Sequence, residues 1–195
     1  MKIVALILLT SLVWLPRISY AQQGQTWIAG LGMGEAFGVN EDHTRPLVLV
    51  GRAEAVAFNS IVPGVSPEFG ISFFTLQSRT TGGPDDYRTQ IIATDLRFRF
   101  SPLTTLRWFP YLYVGAGMAI YKVLQVPPAA SQLASLSNAE PFFTAGVGIS
   151  HQISDNVGID VNLGPAVALS DDINPVHDGE DDGWWSGVLS IYWIF

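Results

Sequence analysis

Six charged residues sit at spacings that could bring them together. Arg52 and Glu54 are two apart, Asp95, Arg97 and Arg99 follow the same step, and Asp160 stands in a third segment. In an extended chain, residues two apart share a face, so these side chains can converge. Mixed signs in a confined space allow two kinds of chemistry: an interlocking ion-pair plug, or a gated path for ions. Unpaired charges in such a space cost roughly several kcal/mol each, so the mixed signs favour mutual pairing and a plug.

Other candidates are weaker. His151, Ser154 and Asp155 are the residue types of a hydrolase, but their spacing does not put them on one strand face, and they fall at a turn. Gly30-Leu31-Gly32-Met33-Gly34 superficially echoes a nucleotide-binding loop. It lacks the strand–loop–helix context and the third glycine spacing, and reads as inward glycines of a strand. Asp178, Glu180, Asp181 and Asp182 crowd one segment with Asp171, Asp172, Asn174 and His177. Acidic runs are usually just solvated; weak divalent-cation binding is the sharper alternative, although the spacing matches no calcium loop. No metal centre, cofactor or catalytic residue is expected.

Composition narrows the setting in which these residues act. Hydrophobic residues make up 48% of the 195, and charged residues only 14%. Roughly 25% charged residues is ordinary for a soluble domain. So few charges do not cover a water-facing surface, whereas a lipid-facing one needs none. There is no cysteine, which excludes disulfides, thiolate metal sites and a thiol nucleophile.

The first residues read as an address. Lys2 gives a basic start, 3–15 is almost purely apolar, and Ser19 and Ala21 sit at −3 and −1 of a cut after Ala21. The apolar run is shorter than the ~20 residues that a spanning helix needs. The expected division is a cleaved signal peptide at 1–21 and one barrel domain at 22–195. Removing Lys2 and Arg17 leaves 8 basic against 17 acidic residues, a net charge of −9. That speaks against a nucleic-acid partner.

After residue 21 the chain falls into eight segments with period-two patterning, separated by turn residues. In the fourth, Asp95, Arg97 and Arg99 alternate with Leu96, Phe98 and Phe100. In the fifth, Leu112 and Val114 alternate with Tyr111, Tyr113 and Gly115. In the sixth, Val147 and Ile149 alternate with Gly146, Gly148 and Ser150. In the seventh, Ile159 and Val161 alternate with Gly158, Asp160 and Asn162. In the eighth, Ile191 and Trp193 alternate with Ser190 and Tyr192. Bulky apolar residues on one face and small or charged residues on the other describe an inside-out cylinder.

The connections alternate too. Those at 38–46, 78–87, 124–138 and 170–183 are long; those at 101–105 and 154–156 are short; the one at 59–67 is intermediate and fits poorly. Long outer loops and short inner turns are the habit of transmembrane barrels, and an even strand count places both termini on the inner, periplasmic side. Trp27, Phe100, Trp108, Trp193 and Phe195 are expected near the periplasmic rim. Phe37, Tyr121, Trp184 and Trp185 are expected near the outer rim, as aromatic belts. The predicted fold is an all-β, eight-stranded antiparallel up-and-down transmembrane barrel.

At this point a resemblance enters. Residues 110–117 (PYLYVGAG), and Thr144-Ala145-Gly146-Val147-Gly148 leading into 153–158 (ISDNVG), resemble the eight-stranded outer-membrane protein A-like barrel domain. Tyr192-Trp193-Ile194-Phe195 resembles the terminal signal read by the barrel-assembly machinery, with Trp193 and Phe195 as its aromatics. The resemblance implies an outer-membrane location in a Gram-negative-type bacterium. The partners it implies are outer-membrane lipids, lipopolysaccharide and the assembly machinery. Longer members of that family continue into a peptidoglycan-binding domain. This sequence ends at Phe195, and that tethering role is not expected to carry over.

The expected function is a non-enzymatic barrel with a plugged lumen and a structural or surface-interaction role. A narrow pore for ions or small solutes is the second reading, a lipid-modifying enzyme the third, and a secreted soluble lipocalin-like barrel a further one.

Overall fold

The structure is a computed structural model, and it describes residues 26–38, 48–58, 64–77, 88–101, 108–125, 137–169 and 183–195. Eight strands follow one another: β1 (Thr26–Gly38), β2 (Val48–Phe58), β3 (Val65–Gln77), β4 (Arg88–Phe100), β5 (Trp108–Gln125), β6 (Ser137–Gln152), β7 (Val157–Ala168) and β8 (Gly183–Ile194). Each pairs antiparallel with its chain neighbours, and β8 returns to β1, so the sheet closes into a barrel. Closure removes the free edges that an open sheet would leave unpaired.

The alternation in the sequence becomes an inside and an outside. Leu96, Phe100, Leu112, Val114, Val147, Ile149, Val161, Ile191 and Trp193 are exposed on the outer face. Phe98 and Ile159 lie half-buried on that same face. β1 and β3 add further exposed apolar residues, whereas the described outward positions of β2 are Gly51, Ala53, Ala55 and Ala57. Apolar surface this extensive suits acyl chains rather than water.

The short-connection end is tightly tied. Between β6 and β7 the turn is Ile153–Asn156, closed by Ile153 N–H and Ser154 N–H donating to Val157 O at 2.9 and 3.0 Å. Phe195 N–H donates to Trp27 O at 2.9 Å, extending the β1–β8 seam by one bond. Gly64 enters β3 at φ +84°, a left-handed conformation that favours glycine. Its carbonyl accepts from Ser101 N–H at 2.8 Å, fixing where β3 begins.

That beginning differs from the sequence expectation. The segment at 59–67 was expected to be connection throughout, because Pro63, Gly64 and Pro67 are turn residues. In the structure β3 starts at Val65, and Pro67 lies inside the strand opposite Phe98. The β2–β3 ladder runs only from Gly51↔Phe73 to Val56↔Glu68, so Pro67 lies beyond its last pair and its missing N–H interrupts no pairing with β2.

Candidate functional site: the barrel interior

The interior has two layers. The first lies toward the short-connection end and is ionic. Arg52 and Glu54 enter from β2, Asp95, Arg97 and Arg99 from β4, and Asp160 from β7, all buried. Sequence reasoning singled out these six as one lumen set, and the structure brings all six together. It adds Glu68 of β3, which is 1% exposed and touches all three arginines.

Arg52 is the hub. Its Nη1 and Nη2 each lie 2.9 Å from an Asp95 oxygen, a two-pronged pairing that fixes both groups in a plane. Nη2 also donates to Glu68 Oε1 at 2.7 Å, Nη1 to Ser72 Oγ at 2.9 Å, and Nε to Glu54 Oε2 at 3.2 Å. The position that allows this is Gly70, paired with Glu54 on one side and Asp95 on the other. A Cβ there would sit 2.0 Å from Arg52 Nη2.

Arg99 braces the barrel across its width. Its Nε donates to Glu68 Oε2, and its Nη1 lies 3.1 Å from Asp160 Oδ1 on β7. Asp160 also accepts from Tyr111 Oη at 2.7 Å, from Asn162 Nδ2 at 3.2 Å, and from Ser150 Oγ. Arg97 turns back to Asp95, with Nε at 3.0 Å from Oδ1 and Nη2 at 3.2 Å from Oδ2. The Arg97 and Arg99 guanidiniums lie over the rings of Tyr113 and Tyr111, at 4.5 and 4.4 Å from their centroids. Cation–π contact of this kind strengthens when water is excluded. The ion-paired side chains are 0–9% exposed.

The second layer lies toward the long connections and is apolar. Phe74, Phe142 and Trp184 stack at tilted angles, with ring centroids 5.5 Å apart for Phe74–Trp184 and 5.1 Å for Phe142–Trp184. Val50, Leu76, Ile91, Tyr121 and Val188 pack into the same cluster. A cavity of about 10 Å³ lies where the layers meet, lined by Asp95, Arg97, Ser72 and Thr144 on one side and Phe74, Phe142 and Trp184 on the other. That is about the room one water needs.

No protein-family model matches the sequence. No curated protein matches it either. Solved structures do match in fold. Neisserial surface protein A is 12% identical, with 87% of this chain and 96% of that chain covered and a TM-score of 0.52. The outer membrane protein OprG from Pseudomonas aeruginosa is 10% identical, with 88% and 96% covered and a TM-score of 0.52. Ail, the attachment invasion locus protein of Yersinia pestis, is 13% identical, with 89% and 100% covered and a TM-score of 0.54. The chain has the outer-membrane protein A-like eight-stranded barrel fold.

Within this outer-membrane-type barrel, two expected belt residues are corrected. Tyr121 and Trp184 were placed at the outer rim, facing outward; both point inward and are 1% and 4% exposed. The reason is strand parity. Ile120 and Lys122 on either side of Tyr121 face out, as does Trp185 beside Trp184. The interior is therefore not lined by small and charged residues alone, since Phe74, Tyr121, Phe142 and Trp184 fill its outer half.

The His151 side chain lies at the short-connection end of β6. Its ring stacks on Trp108 at 4.0 Å and 24°, while Ser154 and Asp155 are exposed in the turn. Among the described residues, no three His, Cys, Asp or Glu side chains converge on a metal position. The acidic set Asp178, Glu180, Asp181 and Asp182 lies outside the described residues, as does the segment 1–21.

Proposed function

We propose that this chain is an integral outer-membrane protein with a closed lumen, without catalytic activity, that works through its exterior and its long connections. The observation that carries the reading is the two-layer interior. A cross-braced ionic network underlies a buried aromatic cluster, and a cavity of about 10 Å³ lies where they meet. Side chains that meet across the lumen in both layers support a closed interior. The apolar exterior supports the location, as does the presence of the outer membrane protein OprG among the structures with this fold. Export would use residues 1–21 as a signal peptide. Partners would be outer-membrane lipids and lipopolysaccharide, with the assembly machinery reading Trp193 and Phe195.

Ail has been solved in complex with the heparin analogue sucrose octasulfate. A polyanion of that kind needs a cationic surface, and this chain has a net charge of −7. The same ligand class is therefore not proposed for it.

Planar-bilayer recording of the pure protein tests the closed lumen. The expected trace is flat, and stays flat for Arg97→Ala. Steady currents that change with Arg97→Ala would replace this reading with the narrow pore.

A further inference from the structure

The charges inside the barrel do not balance. Among the described residues, Arg52, Arg97 and Arg99 face Glu54, Glu68, Asp95 and Asp160, and none of the seven is more than 8% exposed. Three positive groups against four acids leave one negative charge in a closed, poorly polarisable space, where an uncompensated charge is strongly disfavoured. Glu140, half-buried on β6 opposite Ala119, takes part in none of these ion pairs and supplies no positive charge. A metal ion has no prepared place, because no cluster of ligating side chains converges among the described residues. The neutraliser that fits is a proton.

Geometry distinguishes the four acids. Asp95 receives four contacts from Arg52 and Arg97, at 2.9 to 3.2 Å. Glu68 is reached by all three arginines. Asp160 accepts from Arg99, Tyr111, Ser150 and Asn162. Among the described residues, Glu54 is reached only by Arg52 Nε at 3.2 Å and Arg99 Nη2 at 3.5 Å, and each of those arginines is held more closely by another acid. Arg52 on its own strand and Arg99 of β4 reach it, and Glu68 of β3 and Asp160 of β7 are near enough to act on it electrostatically, two positive and two negative. β1 offers only Gly30, where a Cβ would lie 2.9 Å from Glu54 Oε1.

We propose that the lumen network is a binding site for one proton, held on the Glu54 carboxyl. The network is then neutral, with three guanidiniums against three carboxylates. Glu54 is a neutral polar filler between Arg52 and Arg99, and the ion pairs close around it. This inference rests on the closed lumen proposed above and is independent of any surface partner; bilayer recording tests the closure, and the infrared band tests the proton.

Infrared spectroscopy of the mature chain folded in phospholipid vesicles at neutral pH tests it. An un-ionised carboxylic acid has a C=O stretch well apart from the carboxylate bands. One such band is expected, shielded from bulk water, and it should fall to baseline in Glu54→Gln. That variant matches the protonated side chain in shape and charge. It should fold, keep its heat-modifiable gel migration, and unfold at the same urea concentration as the parent. Asp95→Asn, which balances the charges at another position, should also lose the band, because Glu54 can then ionise. Absence of the band from the parent would overturn the proposal, as would its persistence in Glu54→Gln. A Glu54→Gln chain that fails to fold, or unfolds at clearly lower urea, would overturn it equally, since a neutral amide should serve there.

Discussion

Arg52 and Asp95, 43 residues apart in the chain, meet in a fork in which both nitrogen–oxygen distances are 2.9 Å. The fork reaches from β2 to β4 over the top of β3, and it can do so because residue 70 has no side chain. One missing Cβ thus allows a link between strands that are not neighbours, and Arg99 repeats the device from β4 to β7. Ladder bonds hold each strand to the next, whereas these bridges hold the cylinder across its interior.

The first prediction concerns that fork. Arg52→Leu leaves Asp95, Glu68 and Glu54 without their shared partner. Breaking a buried pair from one side costs about 3–5 kcal/mol. Gly70→Ala should destabilise in the same direction, because its methyl group would displace a guanidinium that is already held on several sides. Urea unfolding of the barrel in vesicles, followed by gel migration without boiling, reads both. Parent-like midpoints would mean that the bridges contribute little.

The second prediction concerns the exterior. Val114 is 50% exposed on the outward face of β5, between the inward Tyr113 and Gly115. An arginine on the lipid face near the bilayer midplane costs about 2–4 kcal/mol, falling toward the interfaces. Val114→Arg should lower the unfolding midpoint accordingly in vesicles. An unchanged midpoint would show that this face meets water.

The third prediction concerns the apolar layer. Trp184 is 4% exposed and contacts both Phe74 and Phe142. Truncating a buried aromatic to alanine costs about 3–5 kcal/mol where the site does not collapse. Trp184→Ala should therefore destabilise the barrel, whereas Trp185→Ala, on the outward face, should cost far less. The pair is compared by the same unfolding assay.

Much of this architecture was legible in the sequence, for a simple reason. A barrel in lipid alternates strictly between two solvents, so Leu96, Phe98 and Phe100 announce one face and Asp95, Arg97 and Arg99 the other. The same logic placed Arg52, Glu54 and Asp160 inside. Glu68 escaped because Pro67 precedes it and prolines signal connection rather than strand. The available signal was parity, since Glu68, Gly70 and Ser72 share a face with two-residue steps. Parity also carried the answer for Tyr121 and Trp184. Aromatic type suggested a belt, but position in the alternation sent both inward. Which inward groups would touch was not legible, because Arg99 meets Asp160 across the width of the barrel, 61 residues away.

The account rests on which side of the wall meets hydrocarbon, and two native tryptophans measure it. Trp193 lies outward at 39% exposure, and Trp184 inward at 4%. Two chains are compared in vesicles of lipids brominated along the acyl chain, each retaining one of these tryptophans with the others replaced by phenylalanine. Bromine quenches only rings that it touches. The expected result is severalfold quenching of Trp193 emission and little change for Trp184. Quenching of Trp184 with Trp193 spared would contradict the account.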